Sequence, residues 1–177
     1  MNKSAREIAC LGTTVAIMIA SQLALSAVSG VEVVTAIFAL YCLVFGMLRG
    51  MIVATAFSLV RCFLFGFMPQ VILLYIIYYN LFAVVVGGVG RIVKDKSTIT
   101  QIVSLTAAAV VLTLLFTVID NLLNVILFQL SPTAIKIYVT QSISVAITQA
   151  VCSAVTVPLF FFPLNKIFCL VKQGNQK

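Results

Sequence analysis

The sequence predicts an all-α, polytopic membrane protein: a bundle of six transmembrane helices with both termini in the cytoplasm. Three observations carry that expectation. Of the 177 residues, 63% are hydrophobic and 8% charged, against roughly 45–50% and about 25% in a soluble domain. The mean hydropathy is +1.23. Apolar runs approaching about 20 residues, enough for a helix to cross a ~30 Å hydrocarbon core, recur between short polar breaks. The composition excludes a soluble globular domain, a disordered chain and a collagen-like fibre, and it leaves a single membrane domain over 1–177.

The first apolar segment runs over about 5–28. Lys3 and Arg6, the apolar run and Leu25-Ser26-Ala27 loosely mimic a signal peptide. The length of the run and the small residues along one of its faces favour a retained helix. Ser29-Gly30 marks a turn. The second segment, about 32–47, ends at Phe45-Gly46, and Arg49-Gly50 is expected in the tight connection that follows. The third covers about 50–66 and is broken by Gly66 to Pro69. Segments two and three are short, about 24–26 Å each. A re-entrant hairpin is the alternative to two spans. It would bury Arg49 at its tip, at a cost on the order of 3 kcal/mol or more. The fourth segment is about 70–90. Arg91 to Ser97 follows as the longest hydrophilic run. The fifth, about 98–129, exceeds what a bilayer needs, and Asp120-Asn121 is where it is expected to leave the hydrocarbon. The sixth, about 134–171, begins after Ser131-Pro132 and carries Pro158 and Pro163.

Charge orients this bundle. With the N-terminus inside, the cytoplasmic ends hold Lys3, Arg6, Arg49, Arg91, Lys94, Lys96, Lys166, Lys172 and Lys177, nine of the eleven basic residues. Only Arg61 and Lys136 fall outside. That asymmetry follows the positive-inside rule and leads to the expectation of a multi-pass protein of a cell membrane. The formal charge of +7 therefore reads as topology signalling, and no nucleic-acid partner is expected.

The small inventories restrict the chemistry. There is no His, so a Ser-His-Asp triad, a Cys-His dyad and a His-ligated zinc centre are all impossible. The five cysteines form no C-x-x-C pair and sit in apolar surroundings, as small hydrophobic fillers. No Walker A or dinucleotide fingerprint is present, and Gly87-Gly88-Val89-Gly90 closes an apolar helix instead of opening one. No catalytic residue, metal or cofactor is expected, although an aspartyl or Ser/Lys mechanism stays open.

The costly residues gather in the outer half. Glu32 and Thr35 open segment two, and Arg61 lies near the end of segment three. Tyr75, Tyr78, Tyr79 and Asn80 lie on segment four. Asp120, Asn121 and Asn124 lie on segment five, and Lys136, Tyr138, Gln141 and Gln149 on segment six. Ionisable groups in a membrane face the bundle interior and pair with one another or with a ligand. Asp120 and Asn124, four apart, share a face, as nearly do Gln141 and Gln149. They can converge on a polar cavity walled by Phe57, Phe65 and Tyr75, the general form of a small-molecule site. The bland alternative is that Arg61 pairs with Asp120 or Glu32, and that the amides tie helices at about 0.6 kcal/mol each. On segment one, Ala5, Ala9, Gly12, Ala16, Ala20 and Ala27 fall within a stripe about 80° wide at 100° per residue. Such a stripe admits a second helix closely, either from this chain or from a separate membrane subunit.

These features resemble the substrate-binding S component of an energy-coupling factor (ECF) transporter. Ala5-x-x-x-Ala9 and Gly12-x-x-x-Ala16-x-x-x-Ala20 are similar to that family's Ala-x-x-x-Ala docking motif. Gly30-Val31-Glu32-Val33-Val34-Thr35 is similar to its Asn-Val-Glu-x-Val-Thr pattern, with Gly30 in place of the Asn. The Phe45-Gly46 turn and the aromatic, glycine-containing end of segment three also match in style. The resemblance implies a subunit that binds a vitamin or similar micronutrient from outside. It then docks on a transmembrane coupling subunit driven by two ATPase subunits. It further implies docking through Ala5, Ala9, Gly12 and Ala16, and a pocket including Glu32, Thr35, Arg61, Asp120 and Asn124. A solitary carrier or channel, a structural membrane protein and an intramembrane enzyme are the competing readings.

Overall fold

Among the described residues, six helices follow one another along the chain. The computed structural model describes residues 3–26, 33–129 and 131–176. The helices are α1 (Lys3–Leu25), α2 (Val34–Phe45), α3 (Met47–Phe65), α4 (Pro69–Val93), α5 (Thr98–Phe128) and α6 (Pro132–Gln176). Five of them are long and apolar enough to cross a membrane, and α2 is the shorter exception. Large apolar side chains such as Phe63, Ile92 and Ile99 are about three-quarters exposed. Water would penalise so many of them, whereas lipid does not. The chain is a multi-pass, all-helical membrane protein.

The boundaries follow local chemistry. Pro69 occupies the first turn of α4, where its missing N–H costs nothing. The Ser97 hydroxyl caps α5 by accepting from the Thr100 N–H at 3.3 Å. Gly46 joins α2 to α3 alone, at φ +86°, a backbone state that side chains disfavour. The connection is therefore shorter than the sequence predicts. Arg49 and Gly50 lie inside the first turn of α3, where the Arg49 guanidinium pairs with the Glu7 carboxylate of α1. Helix α5 continues unbroken through Asp120-Asn121 to Phe128. At 1.5 Å per residue, α5 is about 46 Å long and α6 about 67 Å, both longer than the hydrocarbon is thick. Helix α6 passes through Pro158 and Pro163 without a break.

Helix α2 is the hub. It is apolar all round, the signature of a helix enclosed by others, and ten of its twelve residues are buried. It touches all five other helices, which pack around it in the order α1, α3, α4, α5, α6. Aromatic rings fill the joints. Phe38 meets Tyr79 edge-on at 5.5 Å, and Tyr41 stacks on Phe45 at 4.6 Å with Phe168 edge-on to both. A Cβ on Gly87 would lie 2.7 Å from Met47 Cα, so α4 approaches the α2–α3 turn as closely as backbone allows.

The helices alternate in direction. Glu7–Arg49 sets the start of α3 beside the start of α1. Lys172 Nζ donates to the Val44 carbonyl, so α6 ends beside the end of α2. One end of the bundle therefore collects Arg6, Arg49, Arg91, Lys94 and Lys172, while Arg61, Asp120 and Lys136 lie toward the other.

Candidate functional site

Toward the less basic end, α5 and α6 enclose a cleft of about 250 Å³ lined by Phe116, Thr117, Asp120, Tyr138, Gln141, Ser142, Val145 and Gln149. The lining positions of α6 recur at helical spacing, so one face of that helix forms a wall. The Asp120 carboxylate is the only ionisable acid or base in the lining besides the Tyr138 phenol. The Tyr138 O–H donates to Asp120 Oδ2 at 2.7 Å, and Asn124 Nδ2 donates to Oδ1 at 3.0 Å. Asn121 Nδ2 donates to the Ser142 hydroxyl at 2.9 Å. A membrane-embedded carboxylate is costly unless it receives such donors, and here both oxygens do. One turn deeper, the hydroxyls of Thr113 and Ser153 share a hydrogen bond at 3.0 Å in a wholly buried seam.

Arg61 lies apart from this cleft. Its guanidinium carbon is 3.7 Å from the Tyr75 ring centre and 4.9 Å from that of Phe65. Stacking on aromatic faces stabilises a desolvated cation by about 0.5–2 kcal/mol. Its Nε is buried with no hydrogen-bond partner among the described residues, as is Gln22 Oε1. Gln22 Nε2 donates to the Tyr75 hydroxyl at 3.1 Å. Tyr75 in turn meets Phe116 edge-on at 6.0 Å. A Tyr75–Phe116 wall thus stands between Arg61 and the cleft that holds Asp120. Arg61 forms no ion pair with Asp120, and Glu7–Arg49 is the ion pair found among the described residues.

The sequence-derived site residues therefore divide. Asp120 and Gln141 line the cleft, while Asn124 and Asn121 support it from behind. Arg61 and Gln22 both meet Tyr75, Arg61 over its ring and Gln22 at its hydroxyl. Thr35 is fully buried in the core. Glu32, like Ala27 and Gly30, lies outside the described residues. Phe57 packs against Tyr75 and Tyr79 inside the core and does not line the cleft. Tyr78 and Tyr79 are likewise core, and Asn80 ties α4 to Thr55 of α3 at 3.3 Å. Gln22, Phe116, Thr117 and Ser142 were not singled out from the sequence. A glutamine near the end of an apolar helix was the one legible signal among them.

The small-residue stripe of α1 faces outward. Ala5, Ala9, Gly12, Ala16 and Ala20 are all exposed, and nothing lies within 4 Å of a Cβ built on Gly12. The stripe is not an internal packing face. Gly12, Ala16 and Ala20 instead form part of an apolar groove between α1 and α3, about 630 Å³ in volume, with Ile52, Ala56 and Val60 on the α3 side.

No family model, curated protein or solved structure matches the chain. Among the described residues no cluster of three His, Cys, Asp or Glu side chains is placed to hold a metal ion.

Proposed function

We propose that this chain is the substrate-binding S component of an ATP-driven importer for a vitamin or similar micronutrient. In this reading it crosses the bacterial cytoplasmic membrane six times, with both termini inside. It captures its solute in the outer half and docks through α1 on a transmembrane coupling subunit carrying two ATPases. The observation that carries the reading is the exposed stripe Ala5, Ala9, Gly12, Ala16 and Ala20 beside an apolar groove. Lipid gives apolar helices no reason to associate, so a smooth face of small residues is useful chiefly where another helix packs closely. The basic end of the bundle supports the orientation by the positive-inside rule. The cleft beside Asp120, with Phe116 and Tyr138 in its walls and few polar groups, supplies the candidate solute contacts in the outer half, and Arg61 on Tyr75 is a further candidate.

Reconstitution tests this function. Vesicles holding the chain with a coupling subunit and its ATPases should accumulate solute only with ATP inside the ATPase compartment. Uptake by the chain alone, driven by a gradient without ATPases, would establish a solitary carrier instead. A second reading draws on the mutual hydrogen bonding of Asp120, Tyr138 and Asn124: these groups serve only as a tie between α5 and α6. Under that reading Asp120→Asn lowers stability and leaves solute affinity unchanged in the folded fraction.

A further inference from the structure

The basic end of the bundle carries a second cleft, about 380 Å³ in volume, framed by the end of α2, the last turns of α4 and α6, and the start of α5. Arg91, Lys94 and Lys172 line it, Gln101 and Asn165 add amides, and no carboxylate is among its lining residues. The acids near this end do not compensate. Glu7 is engaged by Arg49, and Asp95, though next to Lys94 in the turn, is not part of the lining. Lys172 is drawn onto the Val44 carbonyl, at the negative end of the α2 dipole. Arg91 and Lys94 are exposed and form no ion pair among the described residues.

The cleft is built, not a chance meeting of flexible side chains. Gln101 Nε2 donates to the Lys94 and Lys96 carbonyls at 3.1 and 3.2 Å, which fixes the α4–α5 turn that presents Lys94. The floor is apolar side chain and bare backbone, from Leu43 to Gly46 and at Gly87 and Gly90. Three cations in one concavity repel one another unless an anion joins them. The outer surface of the same helices indicates the form of that anion. Ile92, Ile99, Ile167 and Leu170, on the three helices that frame the mouth, are each more than half exposed. These side chains lie on the outward faces of the helices, away from the cleft lining, so a phosphate among the cations would sit at the end of a bundle whose outer surface is apolar. Basic pockets between transmembrane helices at the cytoplasmic side suit anionic headgroups.

We propose that this cleft binds the phosphate headgroup of an anionic phospholipid, with the acyl chains lying along the exposed faces of α4, α5 and α6. The site is independent of the solute cleft and of the transport reading. The test is native mass spectrometry of the full chain released from micelles holding equal amounts of phosphatidylglycerol and phosphatidylcholine. The unmodified chain should retain phosphatidylglycerol preferentially. Each cation lost from the cleft lining costs about fivefold in retention, so Arg91→Gln with Lys94→Gln should lower it roughly 25-fold. Both side chains are exposed, and the circular-dichroism melting curve should not move. Lys96→Gln with Lys166→Gln removes the same charge outside the cleft and should leave retention near the unmodified level. Equal retention of the two lipids, or equal losses in the two double variants, would overturn the proposal. Displacement of phosphatidylglycerol by millimolar inorganic phosphate would also overturn it, since the site would then recognise a free anion without its acyl chains.

Discussion

Replacing Gly12 by Leu separates the docking face from the fold. A Cβ at Gly12 meets nothing within 4 Å, so the isolated chain has room for the new side chain. Helix propensity favours Leu over Gly by on the order of 0.5–1 kcal/mol, and thermal stability in detergent should stay level or rise slightly. A helix from a coupling subunit packed on the stripe would meet an added isobutyl group. Overpacking of this kind costs about 1–3 kcal/mol, a loss of roughly 5- to 150-fold in association. The assay is affinity purification of a co-expressed, tagged coupling subunit with its ATPases, scored by the chain retained at increasing dilution. Gly87→Ala is the control for damage to the fold. Its Cβ would sit 2.7 Å from both Met47 Cα and N, and backbone cannot move aside cheaply, so this variant should lose stability. Unchanged association in Gly12→Leu, or a stability loss matching that of Gly87→Ala, would refute the reasoning.

Three further outcomes follow from the same geometry. Tyr138→Phe removes the donor to the part-buried Asp120 Oδ2 and should cost about 0.5–1.5 kcal/mol, the net worth of one such hydrogen bond; a melting curve in detergent measures it. Thr113→Val and Ser153→Ala should each destabilise α5–α6 packing, and the double variant should fall short of their sum by about 0.5–1.5 kcal/mol, the coupling of their shared bond. Glu7→Gln leaves Arg49 without its counter-ion. Both side chains are partly exposed, so the loss should stay below about 1 kcal/mol and shrink in high salt.

Much of the fold was legible because lipid imposes a simple rule: long apolar runs become helices and polar breaks become turns. Among the described residues, six helices lie close to the six apolar segments. The rule gave the second segment bounds of about 32–47, a few residues wider than α2 at Val34–Phe45, because the flanking residues are apolar too. Arg49-Gly50 read as a connection because a charge and a glycine interrupt the apolar run, yet Gly46 alone joins the two helices, and Arg49 lies in α3, where it meets Glu7. The site was legible only within helices. Asp120 and Asn124 share a face by spacing, and their contact with Tyr138 follows once α5 and α6 pack antiparallel. The separation of Arg61 from Asp120 was not legible. It depends on Tyr75 and Phe116 meeting between them, a contact across helices that no spacing along one helix reveals.

The central claim, that the outer half of this bundle holds a solute for another machine to move, is tested most directly by native mass spectrometry of the mildly purified full chain. One small molecule should accompany the protein at unit stoichiometry, and Asp120→Asn should lose it while remaining folded by circular dichroism. A chain that carries no solute beyond lipid and detergent, or an Asp120→Asn variant that keeps the solute as tightly as the unmodified protein, would contradict the account.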